Sequence, residues 1–295
     1  MKTNHIYFVI LLFLVITGVK AQQDPNYILY RYAMNIVNPA YAGAEARTEF
    51  AANIRSQWSG VEGAPENQSL MASTFLGKKV GLGVSIVNDK TFIETQTSLA
   101  IDFSYKVQWD DVSNIYFGLK ASGNSYNVNT AGLTTFGIDS DPSLMNIDGG
   151  FTPNVGAGIY FQNRKLALSF SIPKVLRHRR LEQEGSSAKL GSNKIHMYLM
   201  GAYDMQLDEK LLLKPSAMLR YVENAPLSID LTLALNYNEI FEFGAAYRWS
   251  EGLAGYFLIN LANDIYIGYG YEASLESALA TTNNGTHEIF LKFRL

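Results

Sequence analysis

The chain has 295 residues, with 24 Lys or Arg against 27 Asp or Glu, so its formal net charge is −3. This slightly acidic balance gives no support for binding to nucleic acid, and we expect no nucleic-acid partner. The sequence contains no cysteine, which excludes disulfides, thiolate chemistry and zinc–thiolate sites.

Residues 1–21 have the pattern of a secretory signal peptide. Lys2 is followed by an uninterrupted apolar run over residues 6–16, and Ala21 satisfies the preference for a small residue before the cleavage point. We therefore expect cleavage before Gln22 and export of the mature chain from the cytoplasm. The alternative, an uncleaved anchor helix, is disfavoured because the apolar run is shorter than the roughly 20 residues that span a bilayer.

Residues 22–45 lie between this signal and the first predicted strand. Asp24 followed by Pro25 fits the N-cap and the first position of a helix. A helix that starts there is expected to end near Ile36, before the residue that precedes Pro39. The NPAYAG sequence that contains this proline then has the composition of a turn.

Beyond residue 45, hydrophobic side chains alternate with small or polar ones, as in β-strands with one apolar face. Residues 227–237, LSIDLTLALNY, show this alternation without a break. About fourteen such segments follow one another, and no helical pattern of any length interrupts them. They begin near Glu49, Gln68, Val80, Thr95, Ile115, Asn154, Leu166, Ile195, Leu211, Leu227, Phe241, Ala254, Ile265 and Glu288.

An even number of short amphipathic strands is typical of a bacterial outer-membrane barrel, in which closure removes unpaired sheet edges. The predicted fold is therefore all-β: a transmembrane antiparallel β-barrel of about 14 strands over residues 46–295, located in the cell outer membrane and in contact with its lipid. Residues 22–45 would form a short N-terminal periplasmic segment or a plug, and the sequence leaves open whether they enter the barrel.

The connections between the predicted strands alternate in length. Every second connection is tight, whereas three of the others, residues 127–153, 173–194 and 272–286, are long. Outer-membrane barrels have short periplasmic turns and long outward loops. We therefore expect both chain termini on the periplasmic side and the long loops on the cell surface.

The strand faces opposite the apolar ones are small and mildly polar, with isolated charges such as Asp102, Lys106 and Asp230. A barrel of about fourteen strands is wider than eight-stranded barrels, whose interior is filled by side chains. Space for a plug or a guest segment is therefore expected, and an open lumen is the alternative.

No residue pattern indicates catalysis, and we expect a non-enzymatic protein without a cofactor. The four histidines have no metal-ligand spacing, so no metal site is predicted. Asp139, Asp141 and Asp148 lie in one predicted outward loop and offer the oxygen ligands that calcium prefers, but their spacing does not match an EF-hand, and calcium there stays open. His287 beside Glu288 would need a serine on an adjacent strand to form a hydrolase site, which we consider the weakest alternative.

Three sequence stretches occur in a fixed order: QDPNYILYRYAMNIVNPAYAG from residue 23, RSQWSGVEGAPENQS from residue 55 and GTHEIFLKFRL from residue 285. In this combination they resemble the PorP/SprF family, outer-membrane proteins of the type IX secretion system. The family motif residues in this chain are Gln23, Asp24, Pro25, Asn38, Pro39, Ala40, Gly43, Arg55, Gln57, Trp58, Gly60, Gly63, Pro65, His287 and Glu288. We interpret them as architectural and possible partner-contact residues, not as catalysts.

The resemblance implies a role beside the type IX translocon. The protein would be a partner in secretion or cell-surface attachment of large, adhesin-like cargo that carries a C-terminal sorting domain, as in gliding motility. Two alternatives stay open: an outer-membrane anchor that links the secretion and gliding motor to peptidoglycan-binding periplasmic proteins, and a passive porin. The sequence does not name the cargo.

Overall fold

The computed structural model describes residues 26–130, 147–177, 194–261, 264–275 and 283–295. The predicted signal peptide and the motif residues Gln23, Asp24 and Pro25 lie outside these ranges.

The described residues form fourteen β-strands, as the alternation predicts. One of them, β8, continues past Asp204 as a two-residue extension that pairs with the same neighbouring strand. The strands are β1 (Glu49–Ser56), β2 (Glu66–Leu76), β3 (Val80–Thr91), β4 (Glu94–Gln108), β5 (Asn114–Val128), β6 (Ile147–Gln162), β7 (Leu166–Ile172), β8 (His196–Tyr203, then Met205–Gln206), β9 (Leu211–Val222), β10 (Ser228–Tyr237), β11 (Phe241–Arg248), β12 (Gly252–Leu261), β13 (Ile265–Ser274) and β14 (Thr286–Arg294).

The sheet closes on itself. Each strand pairs antiparallel with the next one along the chain, and β14 pairs with β1. This last pairing places Glu49 opposite Arg294 and Ser56 opposite His287, so it covers the whole length of β1. The predicted antiparallel barrel is confirmed.

The two ends of the barrel differ in their connections. At one end, called the short-turn end here, the connections are residues 77–79, 109–113, 163–165, 207–210, 238–240 and 262–264. At the other, the long-loop end, they include residues 57–65, 129–146, 173–195 and 275–285. The predicted alternation in length is therefore present, although three connections at the long-loop end, residues 92–93, 223–227 and 249–251, are no longer than those at the short-turn end.

The largest departure from the predicted strand positions is in β6. It begins at Ile147, whereas the predicted start is near Asn154, because two glycines and a proline in this stretch have the composition of a loop. The backbone nevertheless pairs with the end of β5. Asp148 therefore lies in a strand, and the other two aspartates of the possible calcium loop, Asp139 and Asp141, lie outside the described residues.

Apolar side chains face outward from the barrel, and polar ones face its interior. On β1, Phe50 and Ile54 are 46% and 52% exposed, whereas Glu49, Asn53 and Arg55 are buried. An outward apolar band around a polar interior is the pattern of barrels whose outer surface contacts lipid. No helix in the described part of the chain is long and apolar enough to cross a membrane.

Residues 26–45, called the lumen segment here, occupy the interior of the barrel. They form a 3-10 turn at Tyr30–Tyr32, a short helix, α1, at Met34–Val37, and a second 3-10 turn at Pro39–Tyr41. The helix predicted to end near Ile36 is present only as these short pieces. Barrel side chains bond to the backbone of the segment at Ile28, Leu29 and Ala42, so these backbone groups have partners without a continuous helix.

The hydrophobic core lies between the lumen segment and the inward side chains of the barrel. One cluster joins Tyr27, Tyr30, Met34, Ala40 and Tyr41 of the segment to inward residues that include Tyr116, Tyr160, Tyr198, Met200 and Met218. A second cluster joins Ile28, Leu29 and Ala33 to inward residues that include Ala51, Met71, Tyr256, Leu258 and Phe290. Because both clusters need the segment, its burial stabilises the barrel as well as the segment itself.

Candidate functional site

The NPAYAG motif lies against the inner wall of the barrel. Asn38 is fully buried, and its Oδ1 accepts a hydrogen bond from the Ala40 N–H at 2.8 Å, which caps the 3-10 turn that Pro39 begins. Its Nδ2 donates to the Ile159 carbonyl at 3.1 Å and to the Ser169 hydroxyl at 2.7 Å. One buried side chain therefore fixes both the turn and its position on the wall.

Inward glycines make room for this motif. A Cβ atom at Gly118 would overlap the backbone of Ala40, and a Cβ atom at Gly158 would overlap Oδ1 of Asn38. The close approach of the segment to β5 and β6 thus depends on the absence of side chains at these two wall positions.

Gly43 turns the chain from the lumen towards β1. Its φ of 70° lies in the left-handed region that favours glycine, and a Cβ atom there would come within 2.9 Å of the Gly81 Cα. Its N–H donates to the Ser73 hydroxyl at 2.7 Å, and the preceding carbonyl, that of Ala42, accepts from the Ser104 hydroxyl at 2.5 Å. These bonds hold the end of the motif at the short-turn end of the barrel.

Glu288 holds the opposite end of the lumen segment. Its carboxylate is fully buried and accepts the Ile28 N–H at 2.7 Å and the Leu29 N–H at 3.1 Å. Asn53 Nδ2 donates to the same carboxylate at 2.8 Å, and Arg55, directly opposite on β1, lies 3.4 Å from it. One carboxylate therefore connects the first strand, the last strand and the lumen segment.

The charges around the lumen continue from this point as a network. Arg55 also contacts Glu272 at 3.4 Å, and Glu272 accepts two hydrogen bonds from Nη1 of Arg248 at 3.0 and 3.1 Å. The Nε of Arg248 donates to Asp230 at 2.6 Å. Removing one partner from a buried ion pair typically costs about 3–5 kcal/mol, because the other charge is left uncompensated.

Two further ion pairs join the wall to the middle of the lumen segment. Lys214 donates to Glu242 at 2.6 Å and to the Tyr32 hydroxyl at 2.8 Å. On another part of the wall, Lys120 pairs with Asp102 at 2.8 Å and donates to a backbone carbonyl of α1 at 3.2 Å. Asp102 and Asp230 are thus paired, which corrects the expectation that they are isolated, whereas the Lys106 ammonium lies 5.7 Å from the centroid of the Phe75 ring.

A charge cluster at the short-turn end fixes the entry into β1. Arg294 donates to Glu45 at 3.0 Å and to Glu49 at 2.9 Å, and Lys292 also pairs with Glu49. Burial raises the pKa of the Glu45 carboxyl, but Lys292, Arg294 and the hydrogen bond from Tyr41 lower it, and the net effect places this pKa below its ordinary value. Glu45 is therefore ionised at neutral pH and available for the ion pair.

Main-chain hydrogen bonds hold the first loop, residues 57–65. The Gln57 N–H donates to the Pro65 carbonyl at 2.9 Å and closes the loop at its base. The Ser59 N–H donates to the Gly285 carbonyl at 2.8 Å, which ties the loop to the start of the last strand. The RSQWSGVEGAP motif therefore forms part of a connected rim at the long-loop end.

Three motif residues of this loop have left-handed backbone conformations: Trp58, Gly60 and Gly63, with φ of 50°, 91° and 72°. A Cβ atom at Gly60 would lie 2.9 Å from the side-chain amide of Asn284, so glycine permits the contact with the last loop. The Gly63 carbonyl accepts the Phe92 N–H at 2.8 Å, which joins the first loop to the neighbouring hairpin.

His287 follows the strand alternation and points away from Glu288. Its Nδ1 shares a hydrogen bond with the Tyr269 hydroxyl at 2.7 Å, and its ring packs against Tyr271, whereas Glu288 faces the lumen. These two side chains do not meet in the pair that a hydrolase site would need. Among the described residues, no group of three or more His, Cys, Asp and Glu is placed to hold a metal ion.

Small cavities remain beside the lumen segment. One of about 60 Å³ lies between α1 and the wall, and its lining includes Ser85, Lys120, Ser122 and Tyr198. Another, next to Tyr27, has about 10 Å³. Such volumes suit a few water molecules, whereas small-molecule pockets typically measure about 300–1,000 Å³.

The structure thus divides the described motif residues into two groups. Asn38, Pro39, Ala40, Gly43, Arg55 and Glu288 position the lumen segment, and Gln57, Trp58, Gly60, Gly63 and Pro65 form the rim. His287 belongs to neither group, because it packs against Tyr269 and Tyr271. Sequence reasoning missed Lys120, Lys214, Glu242, Arg248 and Glu272. In the sequence, each of these residues is recognisable only as a charge on the polar face of a strand. Its partner depends on the strand register.

The closed sheet, its outward apolar surface and its polar interior define an outer-membrane β-barrel. A family model described as type IX secretion system membrane protein PorP/SprF matches residues 19–293. This match covers nearly the whole chain, so the protein belongs to the PorP/SprF family of the type IX secretion system, and the resemblance seen in the sequence is confirmed.

Solved structures of other barrels are similar in fold. The TodX deltaS2S3 mutant, a monoaromatic hydrocarbon channel, aligns with a TM-score of 0.51 at 11% identity over 86% of this chain and 91% of that one. The outer membrane protein Omp33 of Acinetobacter baumannii aligns with a TM-score of 0.48 at 9% identity over 85% of this chain and 98% of that one. At 11% identity, the likeness to the TodX mutant concerns the fold alone. No curated protein gives a significant sequence match.

Proposed function

We propose that this chain is a non-enzymatic outer-membrane partner for a large, adhesin-like cargo with a C-terminal sorting domain, in its secretion or its attachment to the cell surface. Family membership supports a place beside the type IX translocon. The observation that carries the proposal is the filled lumen, in which the segment is bonded from Glu288 at one end to Ser104 at the other. Cargo would therefore meet the barrel at its surface and would not pass through it.

The same observation disfavours the passive porin. A porin needs a water-filled path between its two ends, with inward charges that face water. Here Lys214 and Lys120 donate to the lumen segment itself, and Glu288 accepts two of its N–H groups. Conductance would require release of these bonds.

An outer-membrane anchor for the secretion and gliding motor is the second candidate. It is favoured by the preorganised short-turn end, where side chains cap their own turns. Asp110, Asn163 and Asp208 each accept backbone N–H groups of residues that follow them, at 2.6–2.9 Å. Peptidoglycan-binding periplasmic proteins would meet this fixed surface.

Deletion of the gene, followed by proteomics of the cell surface and the medium, tests these roles. We expect loss of one large cargo, or of a few, from the surface, and its return when the wild-type gene is supplied. Loss of all type IX cargo together would favour the anchor. An unchanged set of surface and secreted proteins would contradict both roles and would favour the passive porin.

A further inference from the structure

The lumen segment has a defined direction along the barrel axis. Its first described residue, Asn26, bonds to Arg220, which lies near the long-loop end of β9. The next residue, Tyr27, donates its hydroxyl hydrogen to Asn67 at 2.7 Å, and Asn67 is the second residue of β2 at the same end. The amino-terminal end of the segment thus lies at the long-loop end of the barrel.

The other end of the segment lies at the short-turn end. Gly43 donates to Ser73, close to the point where β2 enters its short turn, and Glu45 pairs with Arg294, the last residue of β14. The segment therefore runs the full height of the lumen, from the long-loop end to the short-turn end, before β1 begins.

The remaining amino-terminal residues are too few to return through the barrel. The predicted cleavage before Gln22 would leave four residues, 22–25, ahead of Asn26, and an extended chain spans at most about 3.6 Å per residue, or about 14 Å in all. β1 has eight residues, which at about 3.4 Å each span about 27 Å along the strand, or about 20 Å along the axis at the tilt of about 40° typical of such barrels, and this exceeds that reach. The path back is also occupied by the segment itself.

We propose that the amino-terminal end of the lumen segment, at Asn26, opens at the long-loop end and hence on the cell surface, because long loops of outer-membrane barrels face outward. This reverses the placement of the amino terminus expected from sequence, while the carboxyl terminus stays at the short-turn end. The proposal does not depend on the cargo role.

This topology has a consequence for partners. A periplasmic protein has access to the short turns and to the carboxyl terminus, but it cannot reach the free end of the lumen segment. Proteins at the cell surface meet that free end next to the rim formed by residues 57–65 and Asn284. The amino terminus is thus placed to contact surface partners and not the periplasmic motor.

The cysteine-free sequence allows a direct test. Gln23→Cys is labelled with a membrane-impermeant maleimide on intact cells and again after lysis, with the full-length chain in its native membrane. Glu62→Cys, exposed in the first loop, is the reference for the long-loop end, and Asp111→Cys, exposed in a short turn, is the reference for the other end. Labelling after denaturation gives the total amount of each cysteine, against which the labelling on intact cells and after lysis is compared.

We expect Gln23→Cys to label on intact cells to the same extent as Glu62→Cys, while Asp111→Cys labels only after lysis. Labelling of Gln23→Cys only after lysis, together with Asp111→Cys, would overturn the proposal. So would a Gln23→Cys that reacts only after denaturation, because the terminus would then be buried and not exposed.

Discussion

Ile28 donates its backbone N–H to the Glu288 carboxylate at 2.7 Å, across 260 positions of sequence. This single bond joins the lumen segment to the last strand, and Arg55 holds the same carboxylate from the first strand. The Glu288 carboxylate therefore takes part both in the contact that closes the barrel and in the attachment of the lumen segment.

Replacement of this carboxylate tests how strongly the segment is held. In Glu288→Gln, an amide nitrogen would face the N–H donors of the segment, and Arg55 would lose a buried counter-charge. We expect a loss of about 3–5 kcal/mol of stability, seen as a lower unfolding temperature of the detergent-solubilised barrel. Glu223→Gln, in an exposed pair with Arg177, is the matched control and should change stability by at most about 1 kcal/mol. Equal unfolding temperatures for the two variants would contradict the role of Glu288.

Gly158→Ala tests the contact between the NPAYAG motif and the wall. The new methyl group would overlap Asn38 Oδ1, so we expect displacement of the turn and a loss of about 1–3 kcal/mol. Limited proteolysis should then cut within residues 26–45. Gly255→Ala, whose methyl group would lie 4.0 Å from the Gly244 carbonyl oxygen, controls for alanine in a strand. If both variants resist the protease equally, the wall glycine is not needed for this contact.

Deletion of residues 26–41 tests whether the segment closes the lumen. We expect the deletion variant to conduct ions in a planar bilayer and the wild-type protein to conduct little, because the segment occupies the path between the two ends. Heat-modified mobility on a denaturing gel confirms that the variant remains a folded barrel. Wild-type conductance equal to that of the variant would show an open lumen and support the porin.

The ion pair at Glu45 predicts a dependence of stability on pH. The folded-state pKa of this carboxyl lies below its ordinary value of 4.5. Its contribution is therefore fully present above that value and is lost as the pH falls through the lower folded pKa. Thermal unfolding between about pH 5 and pH 3 should show a steeper fall for the wild type than for Glu45→Gln. Parallel curves would mean that Glu45 contributes nothing through its charge.

The strands could be predicted because their signal is local. Alternation along residues 227–237 reports one apolar face irrespective of any partner, and the observed strand, Ser228–Tyr237, starts one residue later. The start of β6 could not be predicted in this way. Its glycines and proline have turn composition, and only pairing with β5 makes it a strand.

The interior could be predicted only in outline, because its contacts are set by register and by the path of the segment. Asp102 and Asp230 were recognised as inward charges, but their partners, Lys120 and Arg248, lie 18 positions away and are brought opposite by strand pairing. The need for glycine at position 158 could not be predicted from the sequence either, because it arises from contact with Asn38, which is distant along the chain.

The most direct measurement of the central claim is affinity purification of this chain from detergent-solubilised outer membrane, with mass spectrometry of what is bound. We expect recovery of a large secreted protein that is bound through its C-terminal domain. Recovery of periplasmic lipoproteins and peptidoglycan binders alone would support the anchor instead. A barrel that is recovered without any partner and conducts ions in a planar bilayer would contradict the account.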